Sequence, residues 1–216
     1  MIILALDTCL SACSTALLRD DVVLARRVEV MARGHQERLA GLVAETLAEA
    51  GLAFSDLNRI AVTVGPGSFT GLRVGLAFAK GLGSALGLPV IGIGTLEAMA
   101  AALKTRPGLV AVALEAKRGQ VYFQAFEQGQ ALTGPAGMNI DAAGALLIEL
   151  SKTGLVTLVG SGVDHLGALT PGAEVISSDL VDPVHVALLA AGRGASPPRP
   201  LYLRAPDAKL PGGLDP

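Results

Sequence analysis

The chain has 216 residues, 51% of them apolar, with 17 Lys and Arg against 19 Asp and Glu for a formal net charge of −2. That is enough for one sizeable domain or two small ones. The scattered basic residues (Arg26-Arg27, Lys117-Arg118, Arg193, Arg199), the lack of tryptophan and an aromatic content of 3% argue against unaided nucleic-acid binding, which calls for a basic stripe and stacking platforms.

The opening Met1-Ile2-Ile3-Leu4-Ala5-Leu6-Asp7 has no basic stretch and meets an aspartate at once, so a cytoplasmic chain without a secretory signal is expected. Ile2 to Asp7, Ala12 to Leu18 and Val22 to Val30 read as a three-strand meander. Cys9 and Cys13 lie within it at a spacing that is neither C-x-x-C nor a zinc set, and are expected to be reduced packing residues. From about Gln36 to Ala50, Leu39, Leu42, Val43 and Leu47 recur at helical spacing beside a second stripe of Ala40, Ala44 and Ala48, and Gly51 ends the helix. Ile60 to Val64 is a fourth strand, a long helix follows Ser68, Pro89 to Ile93 is a fifth strand, and Thr95 to Leu103 a third helix.

Lys104-Thr105-Arg106-Pro107-Gly108 reads as a hinge dividing the chain into 1–104 and 105–216. The second part repeats the order faintly: strands near Leu109 to Leu114, Val121 to Phe126 and Ala131 to Thr133, a helix from about Asp141 to Ser151, and a strand at Leu155 to Val159. Gly160-Ser161-Gly162 then opens a short helical turn, followed by a strand at Glu174 to Ile176 and a helix at Pro183 to Ala191. Each half thus reads β-β-β-α-β-α-β-α, which suggests duplication.

The junction Val64-Gly65-Pro66-Gly67-Ser68-Phe69-Thr70-Gly71-Leu72-Arg73-Val74-Gly75 is the most telling stretch. It is not a Walker loop, because Leu72 and Arg73 follow Gly71 where Lys and Ser or Thr are needed. It is not a dinucleotide fingerprint either, because Thr70 stands where the last glycine belongs, and Pro66 and Thr70 break the G-x-S-x-G elbow. What remains is Ser68 as a helix cap and a line of tiny residues, Gly67, Gly71, Gly75, Ala79, Gly83 and Gly87. Arg73, Lys80 and Pro89 interrupt the apolar run well short of the ~20 residues of a membrane span. Arg73 and Lys80 share a face, and Val74, Ala77 and Phe78 spread apolar surface round the helix, which should then be covered on several sides. The expectation is a docking surface: Gly71, Gly75 and Ala79 keep this helix thin, the Ala40, Ala44 and Ala48 stripe lies beside it, and a partner's helices pack on both. On that reading Gly75→Leu or Ala79→Leu blocks association.

Two meanders, each followed by alternating helices and strands, resemble the α/β fold of actin, hexokinase and Hsp70 (ASKHA), built of two ribonuclease H-like subdomains. In kinases of that fold an aspartate ending the first strand helps to hold magnesium; Asp7 and Thr8 stand at the matching place, and Gly160, Ser161 and Gly162 at the turn that approaches adenine. Thr8-Cys9-Leu10-Ser11 lacks the glycine that lets backbone N–H groups reach a phosphate. A small ATP-dependent phosphotransferase therefore remains the alternative, with an ordinary turn as the favoured reading of both places.

The run Gly65 to Gly75, together with Ile3-Leu4-Ala5-Leu6-Asp7-Thr8, His35-Gln36-Glu37-Arg38-Leu39, Lys117-Arg118-Gly119-Gln120-Val121-Tyr122 and Pro200-Leu201-Tyr202-Leu203-Arg204, is similar in order and sequence to the bacterial TsaB, or YeaZ, family. The resemblance implies a non-catalytic subunit for making threonylcarbamoyladenosine beside the tRNA anticodon. Such a subunit binds and activates the catalytic paralogue TsaD as a heterodimer and assembles further with the ATPase TsaE. It also implies a homodimer in isolation, contact with tRNA only through the complex, no membrane, no required cofactor, and ATP or ADP at most at an interface of the complex. The catalytic paralogue holds metal through His-x-x-x-His, whereas His35, His165 and His185 are far apart, so no metal site is expected and a metallopeptidase reading lacks its ligands. Lys117 and Arg118 are expected at a solvated hairpin tip, and Tyr202 and Arg204 as fasteners of the C-terminal segment.

Overall fold

A computed structural model describes residues 1–151 and 154–204. The first half forms β1 (Ile2–Asp7), β2 (Ala12–Arg19), β3 (Val22–Val30), α1 (His35–Glu49), β4 (Arg59–Thr63), α2 (Phe69–Leu86), β5 (Val90–Ile93) and α3 (Thr95–Ala101). The second forms β6 (Leu109–Ala116), β7 (Gln120–Glu127), β8 (Gln130–Ala131), β9 (Ala136–Asn139), α4 (Ile140–Leu150), β10 (Val156–Gly160), α5 (Val163–Gly167), β11 (Glu174–Ser177) and α6 (Pro183–Ala191).

The strands make two sheets of one topology. The first runs β3-β2-β1-β4-β5, with β1 antiparallel to β2 and parallel to β4; the second runs β11-β10-β6-β7-β8, with β9 also paired to β7. Since β6 is antiparallel to β7 and parallel to β10, each half has its first strand at the centre and its meander on one side. The repeat read faintly from the sequence is therefore a repeat of fold.

β1 is an unbroken apolar run because both of its faces are covered. Leu4, Leu6, Leu17, Ile60 and Val62 pack with Leu39, Leu42 and Val43 of α1 and Leu72 and Leu76 of α2. Ile3, Ala5, Ala16, Leu18 and Ala61 turn the other way, into a central core shared with Val110, Val112, Leu114 and Phe126 of the second sheet. Behind that sheet, Ala111, Ala113 and Phe123 pack with Ala143 and Leu147 of α4 and Val163 and Leu166 of α5. The result is five layers: helices, sheet, helices, sheet, helices.

The middle layer is crossed over. α3, from the first half, packs on β6, β7 and β10, while α6, from the second, packs on β1, β2, β4 and β5. β1 to β5 and β6 to β11 keep to separate sheets; these two helices do not follow that division. Arg59 fixes the exchange from the first sheet, its Nη1 donating to the carbonyl oxygens of Ala190 at 2.5 Å and Arg193 at 2.8 Å at the end of α6, where unpaired helix carbonyls are available.

Two elements depart from expectation. α3 ends at Ala101 rather than Leu103, because the backbone there tightens into a turn, the Leu103 N–H donating to the Ala100 carbonyl at 2.9 Å while the Leu103 side chain stays on the core. The edge strand expected at Ala131 to Thr133 is two short pieces, β8 and β9. Between them Thr133 draws out of line to serve β7 with side-chain polar groups: its Oγ1 accepts from the Ala125 N–H at 3.0 Å, and its carbonyl accepts from Gln124 Nε2 at 3.0 Å. The sequence Ala136-Gly137-Met138-Asn139 carries no strand propensity, so β9 rests on its pairing alone.

Candidate docking face

α2 starts where expected: Ser68 Oγ accepts the Gly71 N–H at 3.3 Å, and Gly87 closes the helix in the left-handed conformation at φ 66°. Its small residues point inward, which corrects the expectation about them. Gly71, Gly75, Ala79 and Gly83 are buried against the helix's own sheet. A Cβ at Gly71 would collide with the Thr8 carbonyl oxygen, and one at Gly75 would lie 2.5 Å from Thr8 Oγ1. Thr8 Oγ1 donates to the Gly71 carbonyl oxygen at 2.7 Å across the same contact. The thinness of α2 thus serves its seat on the β1–β2 turn inside this chain, and these residues have no surface to offer a partner.

The other residues of the expected surface are available. Arg73, Ala77 and Lys80 are exposed on one face of α2, with Val74 and Phe78 half-buried over the outer core. Ala40, Ala44 and Ala48 are all exposed along α1, forming the small-residue stripe the spacing predicted. α1 is anchored away from that stripe. Arg38 forks onto Glu29 of β3 through Nε and Nη2, both at 2.6 Å, and onto Glu45 through Nη1 and Nη2, both at 2.7 Å. Hydrogen bonds from Arg38 hold both carboxyls below the usual carboxylate range.

At the start of α2 the C-terminal segment joins the face. The Leu201 N–H donates to the Val64 carbonyl at 2.7 Å, and the Tyr202 ring lies 5.6 Å from that of Phe69. The Arg73 guanidinium sits 3.7 Å above the Phe69 ring and donates from Nε to Tyr202 Oη at 3.2 Å. Phe69 and Tyr202 stay 52% and 47% exposed. Phe69 is a surface residue that sequence reasoning missed: in sequence it is one more apolar residue of an apolar helix, and only the chain returning from position 202 singles it out. Arg204 lies beside Gly137 of β9, so the segment touches both halves.

Asp7 is a different kind of site. Wholly buried, its Oδ1 accepts from Thr63 Oγ1 at 2.6 Å and from the Cys9 N–H at 3.2 Å, while Oδ2 has no partner. Burial pushes its carboxyl up to about 6, against the lowering effect of those hydrogen bonds. The Gly65–Ser68 turn lies on Cys9: the Ser68 N–H donates to the Cys9 carbonyl at 2.7 Å, and a Cβ at Gly67 would collide with the same oxygen. Within the Thr8-Cys9-Leu10-Ser11 turn, two donors are taken, Cys9 by Asp7 and Ser11 by the Asp179 carbonyl at 3.3 Å. Thr63, at the end of β4, is the polar partner that sequence reasoning did not name.

Gly160, Ser161 and Gly162 are likewise engaged internally. Gly160 has φ 132° and no room for a Cβ beside the Ala113 carbonyl; Ser161 Oγ accepts the Glu115 N–H at 3.1 Å; the Gly162 N–H donates to Ala113 at 2.9 Å. They close the ends of β10 and β6 onto each other, at the place in the second half that the turn after β4 takes in the first. Lys117 and Arg118 form the exposed β6–β7 hairpin tip. Cys9 and Cys13 are free and buried, their thiols pushed up to about 12 chiefly by burial. Among the described residues no three His, Cys, Asp or Glu side chains gather as a metal set, and no helix is long and apolar enough to cross a membrane.

A family model described as TsaD, tRNA N6-adenosine threonylcarbamoyltransferase, matches residues 27–159, more than half of the chain. An uncharacterised protein of Mycobacterium tuberculosis is 37% identical over 215 residues, covering 96% of this chain and 93% of its own. The tRNA threonylcarbamoyladenosine biosynthesis protein TsaB of Escherichia coli is 39% identical over 132 residues, 60% of this chain and 57% of that protein. The crystal structure of YeaZ from Pseudomonas aeruginosa superposes with a TM-score of 0.77 at 27% identity, covering 94% of this chain and 99% of that one. A ROK hexokinase from Thermus thermophilus, at 15% identity and a TM-score of 0.52 over 88% of this chain and 98% of its own, shares the fold alone. The chain has the two-subdomain ASKHA fold and belongs to the TsaB (YeaZ) family, relatives of TsaD whose named members serve tRNA threonylcarbamoyladenosine biosynthesis.

Proposed function

We propose that this chain is a non-catalytic assembly subunit for threonylcarbamoyladenosine formation on tRNA. It docks onto a TsaD protein through the exposed face of α1 and α2, takes TsaE into the assembly, and meets tRNA only within the complex. The same face pairs two copies when TsaD is absent. The observation that carries this reading is the contrast between two surfaces. Ala40, Ala44 and Ala48 run unhindered along α1 beside an exposed flank of α2, a shape into which another helix pair fits closely. Asp7, where a kinase of this fold would bind metal, is wholly buried.

Ala44→Arg tests it. The long charged side chain should abolish co-elution with TsaD and self-association while leaving the urea midpoint unchanged, since position 44 is solvent-exposed. Undiminished co-elution with TsaD would sink the docking face. One observation favours the alternative, a phosphotransferase: the free oxygen Oδ2 of Asp7. Substantial ATP turnover by the isolated chain would establish that reading instead.

A further inference from the structure

The guanidinium groups that the fold holds in place mostly meet carboxylates of the same chain. Arg38 forks onto Glu29 and Glu45, Arg27 meets Glu49 at 2.8 Å, and Arg106 meets Glu174 at 2.9 Å. Arg73 is held too, but no acid answers it. Its guanidinium carbon sits 3.7 Å from the centre of the Phe69 ring, and its Nε donates to Tyr202 Oη at 3.2 Å, from a residue 129 positions further along the chain. Among the described residues neither Nη1 nor Nη2 has an acceptor. α2 supplies no acid of its own: Phe69–Leu86 contains neither Asp nor Glu, and its charges are Arg73 and Lys80 alone, both exposed.

We propose that Arg73 is the ionic anchor of the docking face, its Nη1 and Nη2 forking onto a side-chain carboxylate that the TsaD partner presents beside the Phe69 and Tyr202 rings; this rests on the docking face proposed above. The ring fixes the plane of the guanidinium and the hydroxyl takes its Nε, so the end left over is the planar fork that matches the two oxygens of a carboxylate. Ordering a long side chain costs entropy on association, and here contacts within the chain have already restricted it, so more of the bond appears as affinity. A protein acid suits the place better than an RNA phosphate. Two cations beside the alanine stripe of α1 are not the basic stripe of a nucleic-acid reader. An arginine flanked by aromatic rings that stay 52% and 47% exposed is instead the composition on which protein interfaces concentrate their binding energy.

Calorimetric titration of the full chain into a purified TsaD protein, without tRNA and at low and high salt, tests this. Arg73→Met keeps an unbranched stem beside Phe69 and removes the charge. It should weaken binding at least about tenfold, the equivalent of roughly 1.4 kcal/mol, and flatten the salt dependence that an exposed ion pair confers. Arg73→Lys keeps the charge without the fork and should recover only part of that loss. Lys80→Met removes a cation of the same helix that nothing holds in place, and should cost less than Arg73→Met. Ala44→Arg separates the anchor from the face: if it abolishes binding while Arg73→Met binds like wild type, the face stands and the anchor falls; if Arg73→Met weakens binding and Ala44→Arg does not, the anchor stands and the α1 side of the face falls. Full recovery by Arg73→Lys, or equal losses from Arg73→Met and Lys80→Met, would also overturn the anchor. So would an Arg73→Met chain that binds TsaD normally but weakens tRNA capture by the assembled complex, since the guanidinium would then belong to a phosphate.

Discussion

Replacing Asp7 with asparagine should remove a stability cost that grows with pH. The carboxyl is fully buried, and burial lifts it from an ordinary 3.8 to about 6 in the folded chain. The folded state therefore holds the proton more tightly than the unfolded state. Below the unfolded value both states are protonated and Asp7 costs nothing; as pH rises through the folded value the cost builds, and above it the cost is constant. At about 1.36 kcal/mol per pH unit, the gap amounts to about 3 kcal/mol as an upper bound. Asparagine keeps an Oδ1 to accept from Thr63 and Cys9, and places an NH₂ where the protonated acid has its OH, so the two proteins should match at acid pH. The assay is urea denaturation of both proteins from about pH 4 to 8. Arg38 holds Glu29 and Glu45 low, so their stabilisation is lost as pH falls, but this is common to both proteins and cancels in the difference. The variant should gain by up to about 2.5 kcal/mol relative to wild type between the ends of that range, most of it across the window from about 4 to 6. Parallel pH profiles would refute the claim that burial of Asp7 outweighs its hydrogen bonds.

Because the small residues of α2 face its own sheet, Gly71→Ala should lower stability by about 2 kcal/mol or more through the collision with Thr8, with or without a partner. Gly81→Ala, in open space on the same helix, should raise it by up to about 1 kcal/mol, and equal urea midpoints for the two would contradict the orientation found. Gly160→Ala should be strongly destabilising, since it meets the Ala113 carbonyl from a left-handed backbone, and a folded variant of unchanged Tm would show that β10 and β6 can part there. Tyr202→Ala removes both the ring contact with Phe69 and the bond from Arg73, so limited proteolysis near the C terminus should quicken while Tyr202→Phe, which keeps the ring, stays close to wild type.

Local pattern carried a great deal of this protein. The strands of the first meander, β6 and β7 of the second, the start of α2 at Ser68 and the stripe of Ala40, Ala44 and Ala48 follow from apolar periodicity, capping chemistry and turn residues, which act over a few neighbouring positions. The same local logic found the line of Gly71, Gly75 and Ala79 and recognised that something must approach it closely. It could not say what, because a helix periodicity fixes which residues share a face but not which way that face turns. Tertiary structure turned it onto Thr8 and β4, and so moved the available surface to Arg73, Ala77 and Lys80. Contacts between distant positions were equally out of reach of pattern: Thr63 on Asp7, Tyr202 on Phe69, and the exchange of α3 and α6 between the sheets. β9 shows the limit most plainly, since Ala136-Gly137-Met138-Asn139 becomes a strand only because β7 presents an edge for it to pair with. Sequence by itself determined the order of elements and the chemistry each could carry; packing alone decided which faces were consumed inside the chain and which were left exposed.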